Sequence, residues 1–277
     1  FVASRGRAIS IVTLGHNAGE AVIPFIFVAL AAAVGWRSAW IGGAFVLMLG
    51  ALPIIYLLIS KDRQPQASEF AGQSAEVRSW TRAEVMQDPL FWLLTIGILA
   101  PSFIGTSIFF HQVYLVELRG WSLAVFASAF SVMAVTTICF TLIAGVLVDR
   151  FSATALLPSF LLPLSASCFA LGIFEAQWSA FAFMCLMGIS YGFSSTLFGA
   201  LWPEIYGTKY LGSIRAVTVA MMVFGTAAGP GLTGWLIDIG VPYSNQIIVM
   251  GVYCLFAASV MFVASRKLIA RSEKQIS

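Results

Sequence analysis

Apolar stretches about as long as a bilayer is thick recur along most of this chain, and no other feature constrains its fold as tightly. They run roughly over 8–34, 39–59, 90–116, 122–147, 154–174, 179–201, 212–237 and 245–265. About 20 helical residues cross the ~30 Å hydrocarbon core. In lipid every backbone N–H and C=O needs an internal partner, so such spans must be helices. Composition agrees: 60% of the residues are hydrophobic and 10% are charged, where soluble domains carry about a quarter charged. The expected fold class is all-α, a polytopic transmembrane helical bundle with eight spans in this chain.

Charge placement gives the orientation. Of 15 Lys and Arg residues, all but Arg37 and Arg119 fall on one side of the expected spans. Basic loops are retained in the cytoplasm, so both termini are expected there and the number of spans is even. Among the 8 tryptophans only Trp80 lies away from a span end, as an interfacial aromatic belt requires.

The longest polar stretch, 61–88, separates two helices (1–60) from six (89–277), the last followed by a cytoplasmic tail. It reads as a cytoplasmic interdomain loop. Within it Thr81-x-x-Glu84 is a capping-box pattern, and Asp88 before Pro89 reads as an N-cap with proline at the first helical position. Two spans share an echo. "RAISI" at 7–11 precedes Gly15-x-x-x-Gly19 and Pro24, and "RAVTV" at 215–219 precedes Gly225-x-x-x-Gly229 and Pro230. Spans six apart that share a pattern are what duplicated six-helix halves produce. The glycine pairs also predict close helix packing.

Polar groups inside spans point to function. At about 100° per residue, Thr13, His16, Glu20, Pro24 and Phe27 share about an 80° arc of the first span. Asn17 sits at its edge, and Gly15, Ala18 and Gly19 occupy the opposite face. A carboxyl at Glu20, near mid-membrane, must face a cavity, pair, or hold a proton. His16, one turn earlier, is its natural proton or hydrogen-bond partner. These residues fit a coupling or substrate site, or an interhelical hydrogen bond. His111 and Gln112 close the third span, which Pro101 is expected to kink. Tyr191 and Ser195 lie mid-span in "ISYGFSST"; a serine there commonly bonds its own helix, whereas a tyrosine suits a small organic solute. At the basic edge, Arg215 with Glu204 and Asp149 with Arg150 read as orientation determinants or as interdomain ion pairs that break and reform.

Several classes find no support. No G-x-x-x-x-G-K-[ST] loop is present to bind ATP, and no H-E-x-x-H or cysteine spacing to bind a metal. Cys139, Cys168, Cys185 and Cys254 lie in apolar blocks and read as small core residues. The cations form no nucleic-acid face. No cofactor is expected, and the chain does not read as an enzyme. A membrane enzyme acting on lipid-linked substrates would need a dense cluster of carboxylates or cations at one interface. A non-transporting receptor or assembly protein would share the fold.

Five stretches together resemble the major facilitator superfamily, specifically its fifth to twelfth transmembrane helices: "RGRAISIVTLGHNAGEAVIP", "GWRSAW", "QDPLFWLL", "GVLVDRFSATALLP" and "YGTKYLGSIRAV…GPGLTGWLID". The resemblance covers essentially the whole chain and leans toward bacterial monocarboxylate-type members. It implies a secondary transporter of a small solute, working by alternating access in the bacterial inner membrane, with proton coupling as an option. It also implies four further helices ahead of those seen here. The residues' own placement makes His16, Asn17, Glu20, His111, Gln112, Tyr191 and Ser195 the candidates for substrate binding or coupling, and the resemblance adds that the helix bearing His111 and Gln112 lines the cavity. Conformational switching is implied for Gly145, Asp149, Arg150 and Arg215. Ser152, Ala153 and Thr154 stand where the family carries a second basic cluster.

Overall fold

The computed structural model describes residues 5–60 and 78–276. Every regular element among them is helical. In order these are α1 (Arg5–Val34), α2 (Trp36–Val46), a π-helical stretch (Leu47–Ala51), α3 (Leu52–Ile59), α4 (Arg82–Gln87) and α5 (Pro89–Phe110). There follow α6 (Gln112–Leu118), α7 (Leu123–Phe151), α8 (Leu161–Ile173), α9 (Trp178–Tyr206), α10 (Leu211–Asp238) and α11 (Tyr243–Ile276). Six helices are long and apolar enough to cross a membrane: Trp36–Ile59 taken as one rod, then α5, α7, α9, α10 and α11 up to Ser272. The chain is a multi-pass, all-α membrane bundle.

The remaining two expected spans differ from that pattern. α1 is a continuous helix of 30 residues, about 45 Å long, but its side chains are described only in part. The span expected over 154–174 becomes helical only at Leu161, and α8 has 13 residues. Proline explains the delay. Pro158 has no N–H and disfavours the α conformation at Leu157. The chain turns there through Ser159 N to Leu156 O and Leu161 N to Pro158 O. The span expected over 90–116 is divided at His111 (φ −95°, ψ 18°) into α5 and α6.

By compactness the chain forms two units, residues 15–74 and residues 3–14 with 75–277. In the first, the described part is a helical pair joined at Gly35, whose φ of 81° suits glycine. Phe27 meets Trp40 with ring centroids 4.6 Å apart. The most hydrophobic 18-residue stretch of Trp36–Ile59 has 0% of its residues buried. Gly15 has no neighbour within 4 Å of a Cβ built on it, and Gly19 meets only Ile23 of its own helix. The packing predicted for that glycine pair is therefore not seen among the described residues.

In the larger unit α9 packs on α7 and α8, α11 on α8 and α5, and α10 on α5. Small residues set the closest crossings. A Cβ at Gly192 would stand 2.6 Å from Thr137 O and 2.8 Å from Thr141 N of α7; one at Gly188 would strike Thr136. One turn further along, Thr196 Oγ1 donates to Thr141 O at 3.3 Å. On α10 the expected packing of Gly229 is present, against Phe103 and Ser107 of α5. A buried core runs through Phe91, Leu94, Phe126, Phe160, Phe183, Leu197 and Met261.

Candidate functional site

Of the polar residues singled out in the sequence, those of the larger unit fall at three depths. The basic end is built on Asp149, the last acidic residue of α7. Its carboxylate accepts the backbone N–H of Gly6 at 2.6 Å and of Arg7 at 3.2 Å. Both are unsatisfied donors of the first turn of α1, where the helix dipole favours an anion. Arg7 Nε lies 3.6 Å from the same carboxylate. The approach needs glycine on both helices: a Cβ at Gly6 would collide with Gly145 O, and one at Gly145 would stand 2.5 Å from Ser10 Oγ. Ile9 packs beside Gly199 of α9 in the same crossing.

Two expected pairings are corrected here. Asp149 is engaged by the start of α1, while the exposed Arg150 lies over the Phe151 ring at 5.2 Å. Glu204 turns to the loop after α7: it accepts Ala153 N at 2.9 Å, Thr154 N at 3.1 Å and the Thr154 hydroxyl. Arg215 is exposed. The reason is geometric. A carboxylate at a helix end finds several backbone donors in fixed positions, whereas pairing with a long cation requires that side chain to be ordered. Between them sits Ser152 at φ 71°, ψ 155°, a region almost reserved for glycine.

At mid-depth, Tyr191 Oη donates to Pro101 O at 3.3 Å. Gly105 makes room, since a Cβ there would run into the phenol oxygen. From the other side Tyr253 Oη donates to Ile96 O at 2.6 Å. Two tyrosines thus bind carbonyls of α5, one of Pro101 itself and one of Ile96, five residues before it. Ser195 bonds Gly192 O of its own helix at 3.0 Å.

At the opposite end, His111 Nδ1 donates to Ser107 O at 2.9 Å. A carbonyl only accepts, so Nδ1 is the donor here, and Nε2 lies close to Gly234. The imidazole sits 5.9 Å from the Tyr243 ring, and Gln112 is half-buried beside it. Arg119 donates to Phe174 O at 2.9 Å and to Leu171 O, closing the C-terminus of α8. Burial there lowers the Arg119 pKa, without removing its charge at any physiological pH. Arg119 Nε, Tyr243 Oη and Gln246 Oε1 are buried with no hydrogen-bond partner in the described structure. A polar solute or water would satisfy them.

The structure does not bring these groups into one cluster: His111 stands ten residues beyond Pro101, about 15 Å along the helix. The side chains of His16, Asn17 and Glu20 lie outside the described residues. Sequence reasoning missed the role of Glu204 as a loop anchor and the contacts of Asp88 with Arg271. Neither has a local signal. It also missed Gly188-x-x-x-Gly192, whose spacing was there to be read. Among the described residues no three His, Cys, Asp or Glu converge as a metal site.

No curated protein matches this chain. A family model described as Major Facilitator Superfamily matches residues 2–230 and again residues 113–277.

Proposed function

The chain belongs to the Major Facilitator Superfamily, a family of membrane transporters, and from that premise we propose that it carries a small solute by alternating access. The observation that carries this reading is the Asp149 contact with the first turn of α1. It joins helix ends through backbone N–H groups, glycine contacts and one partly exposed cation. Charge-assisted hydrogen bonds of this kind are worth about 1.5–3 kcal/mol each. That is enough to hold one end closed and little enough for a bound solute to offset. In this reading Gly145, Asp149, Arg150 and Arg215 serve switching, Asp149 holding the latch and Gly145 allowing the approach.

Solute contact falls to Tyr191, which bonds the Pro101 carbonyl of α5, and to His111 and Gln112 at its end. Ser195, bonded to its own helix, contributes less. Proton coupling runs through Glu20 with His16 and Asn17. It is tested by Glu20→Gln in the full-length protein: uptake should lose its dependence on a proton gradient, and an unchanged pH dependence contradicts the assignment. In this reading both termini are cytoplasmic, supported by the one-sided distribution of the cations, and the bacterial inner membrane is the setting that the resemblance implies. The lean toward bacterial monocarboxylate-type members rests on resemblance of the sequence alone.

A further inference from the structure

We propose that Arg271 makes the last helix a strap that holds residues 78–88 as an integral part of the larger unit. α11 runs for 34 residues, about 51 Å, against a hydrocarbon core of ~30 Å. Its final turns therefore stand clear of lipid, and Arg271 is on them. Its Nη1 donates to Asp88 Oδ2 at 2.7 Å, and its guanidinium lies 4.2 Å from the centroid of the Trp80 ring. Tyr206, the last residue of α9, donates its hydroxyl to the same carboxylate oxygen at 3.2 Å. Its carbonyl accepts Trp80 N at 3.0 Å, and the two rings meet at 5.6 Å. Asp88 Oδ1 accepts Leu90 N at 3.1 Å, which caps α5.

One guanidinium thus engages a carboxylate and a ring from two points of the segment that leads into α5. This is more than a surface ion pair. The Asp88 side chain is 6% exposed and that of Arg271 29%, so removing the cation leaves a buried carboxylate with hydrogen bonds from Tyr206 and Leu90 but no neutralising charge. The planar ion also covers an aromatic face, which an ammonium on a flexible stem does poorly. The mechanical consequence concerns α5, the helix that bears Pro101 and His111. With the strap in place, a displacement reaching residue 78 along the chain passes to Asp88 and the head of α5. Without it, the segment 78–88 absorbs that displacement.

Amide hydrogen exchange on the full-length protein in lipid nanodiscs tests this. Arg271→Ala should speed exchange across 79–87 about tenfold and leave the centres of α7 and α9 unchanged; Arg271→Lys should fall between. An Arg271→Ala rate within twofold of the parent overturns the strap, and so does acceleration spread equally through every helix. Trp80→Leu gives an independent arm, because it removes the ring and keeps the ion pair. It should loosen the same residues, and combined with Arg271→Ala it should add little further. Fully additive effects would show two unrelated contacts and overturn the proposal.

Discussion

Asp149 works through position more than charge count: its partners are the backbone N–H groups of Gly6 and Arg7. Asp149→Asn keeps the size and loses the charge. It should weaken the contact by about 1–2 kcal/mol, the difference between charged and neutral hydrogen bonds. The rate at which cysteines at Ile9 and Gly199 cross-link reads this directly, and a roughly tenfold drop is expected. Ser152 supplies a second test. At φ 71°, ψ 155° it holds about 1–3 kcal/mol of backbone strain, so Ser152→Gly should raise thermal stability. An unchanged or lower melting temperature would mean that the conformation costs nothing. Asp149 and Gly145 could be picked out of the sequence, since "GVLVDR" stands at the end of a span. Their partner, more than a hundred residues earlier, could not. Nor could Glu204's choice of Ala153 and Thr154, because backbone donors become available only when a loop is placed.

Helix existence was legible wherever hydropathy ran for 20 residues or more, and caps were legible where side chain and backbone are neighbours. Thr81 and Glu84 form the predicted capping box, and Asp88 caps α5. Breaks were harder. Hydropathy does not mark the division at His111, where the Ser107 carbonyl accepts both the ring and the backbone N–H of that residue. The late start of α8 was encoded in Pro158, which the apolar count ignores. The capping box carries a pH prediction. Backbone and side-chain hydrogen bonds from Thr81, then Arg78, lower the Glu84 pKa. A carboxyl with a depressed pKa contributes stability above its unfolded value of about 4.3 and loses it as pH falls through the folded one. Amide exchange at Thr81–Gln87, corrected for its intrinsic pH dependence, should be flat near neutrality and rise only on acidification below that range. Thr81→Ala should raise it at every pH, equivalent to about 1 kcal/mol. At the α7–α9 crossing, Gly192→Leu forces the helices apart against Thr137 and Thr141. It should yield aggregated protein on size exclusion, since overpacking costs several kcal/mol where backbone is the obstacle.

At the scale of the whole molecule, membrane class and helical architecture followed from composition, and the family match agrees with them. What a sequence alone could not order is the set of contacts at each end of the bundle. The end of the larger unit bearing Asp149, Glu204, Asp88 and Arg271 is tied by carboxylates that accept backbone N–H groups, by the Arg271–Asp88 ion pair and by glycine crossings. The end bearing His111 and Tyr243 retains buried polar atoms without partners. A molecule that alternates should open the first end when its contacts break. A Cβ at Gly199 would stand 3.8 Å from that of Ile9, the mean separation across a disulfide. In full-length protein freed of Cys139, Cys168, Cys185 and Cys254, the pair Ile9→Cys and Gly199→Cys should lock that end on oxidation. A third cysteine at Tyr191, probed with a membrane-impermeant thiosulfonate from each side, then reports access. Under reducing conditions it should react from both sides, and with the disulfide formed only from the side opposite the lock. Reaction from a single side in both conditions would contradict alternating access.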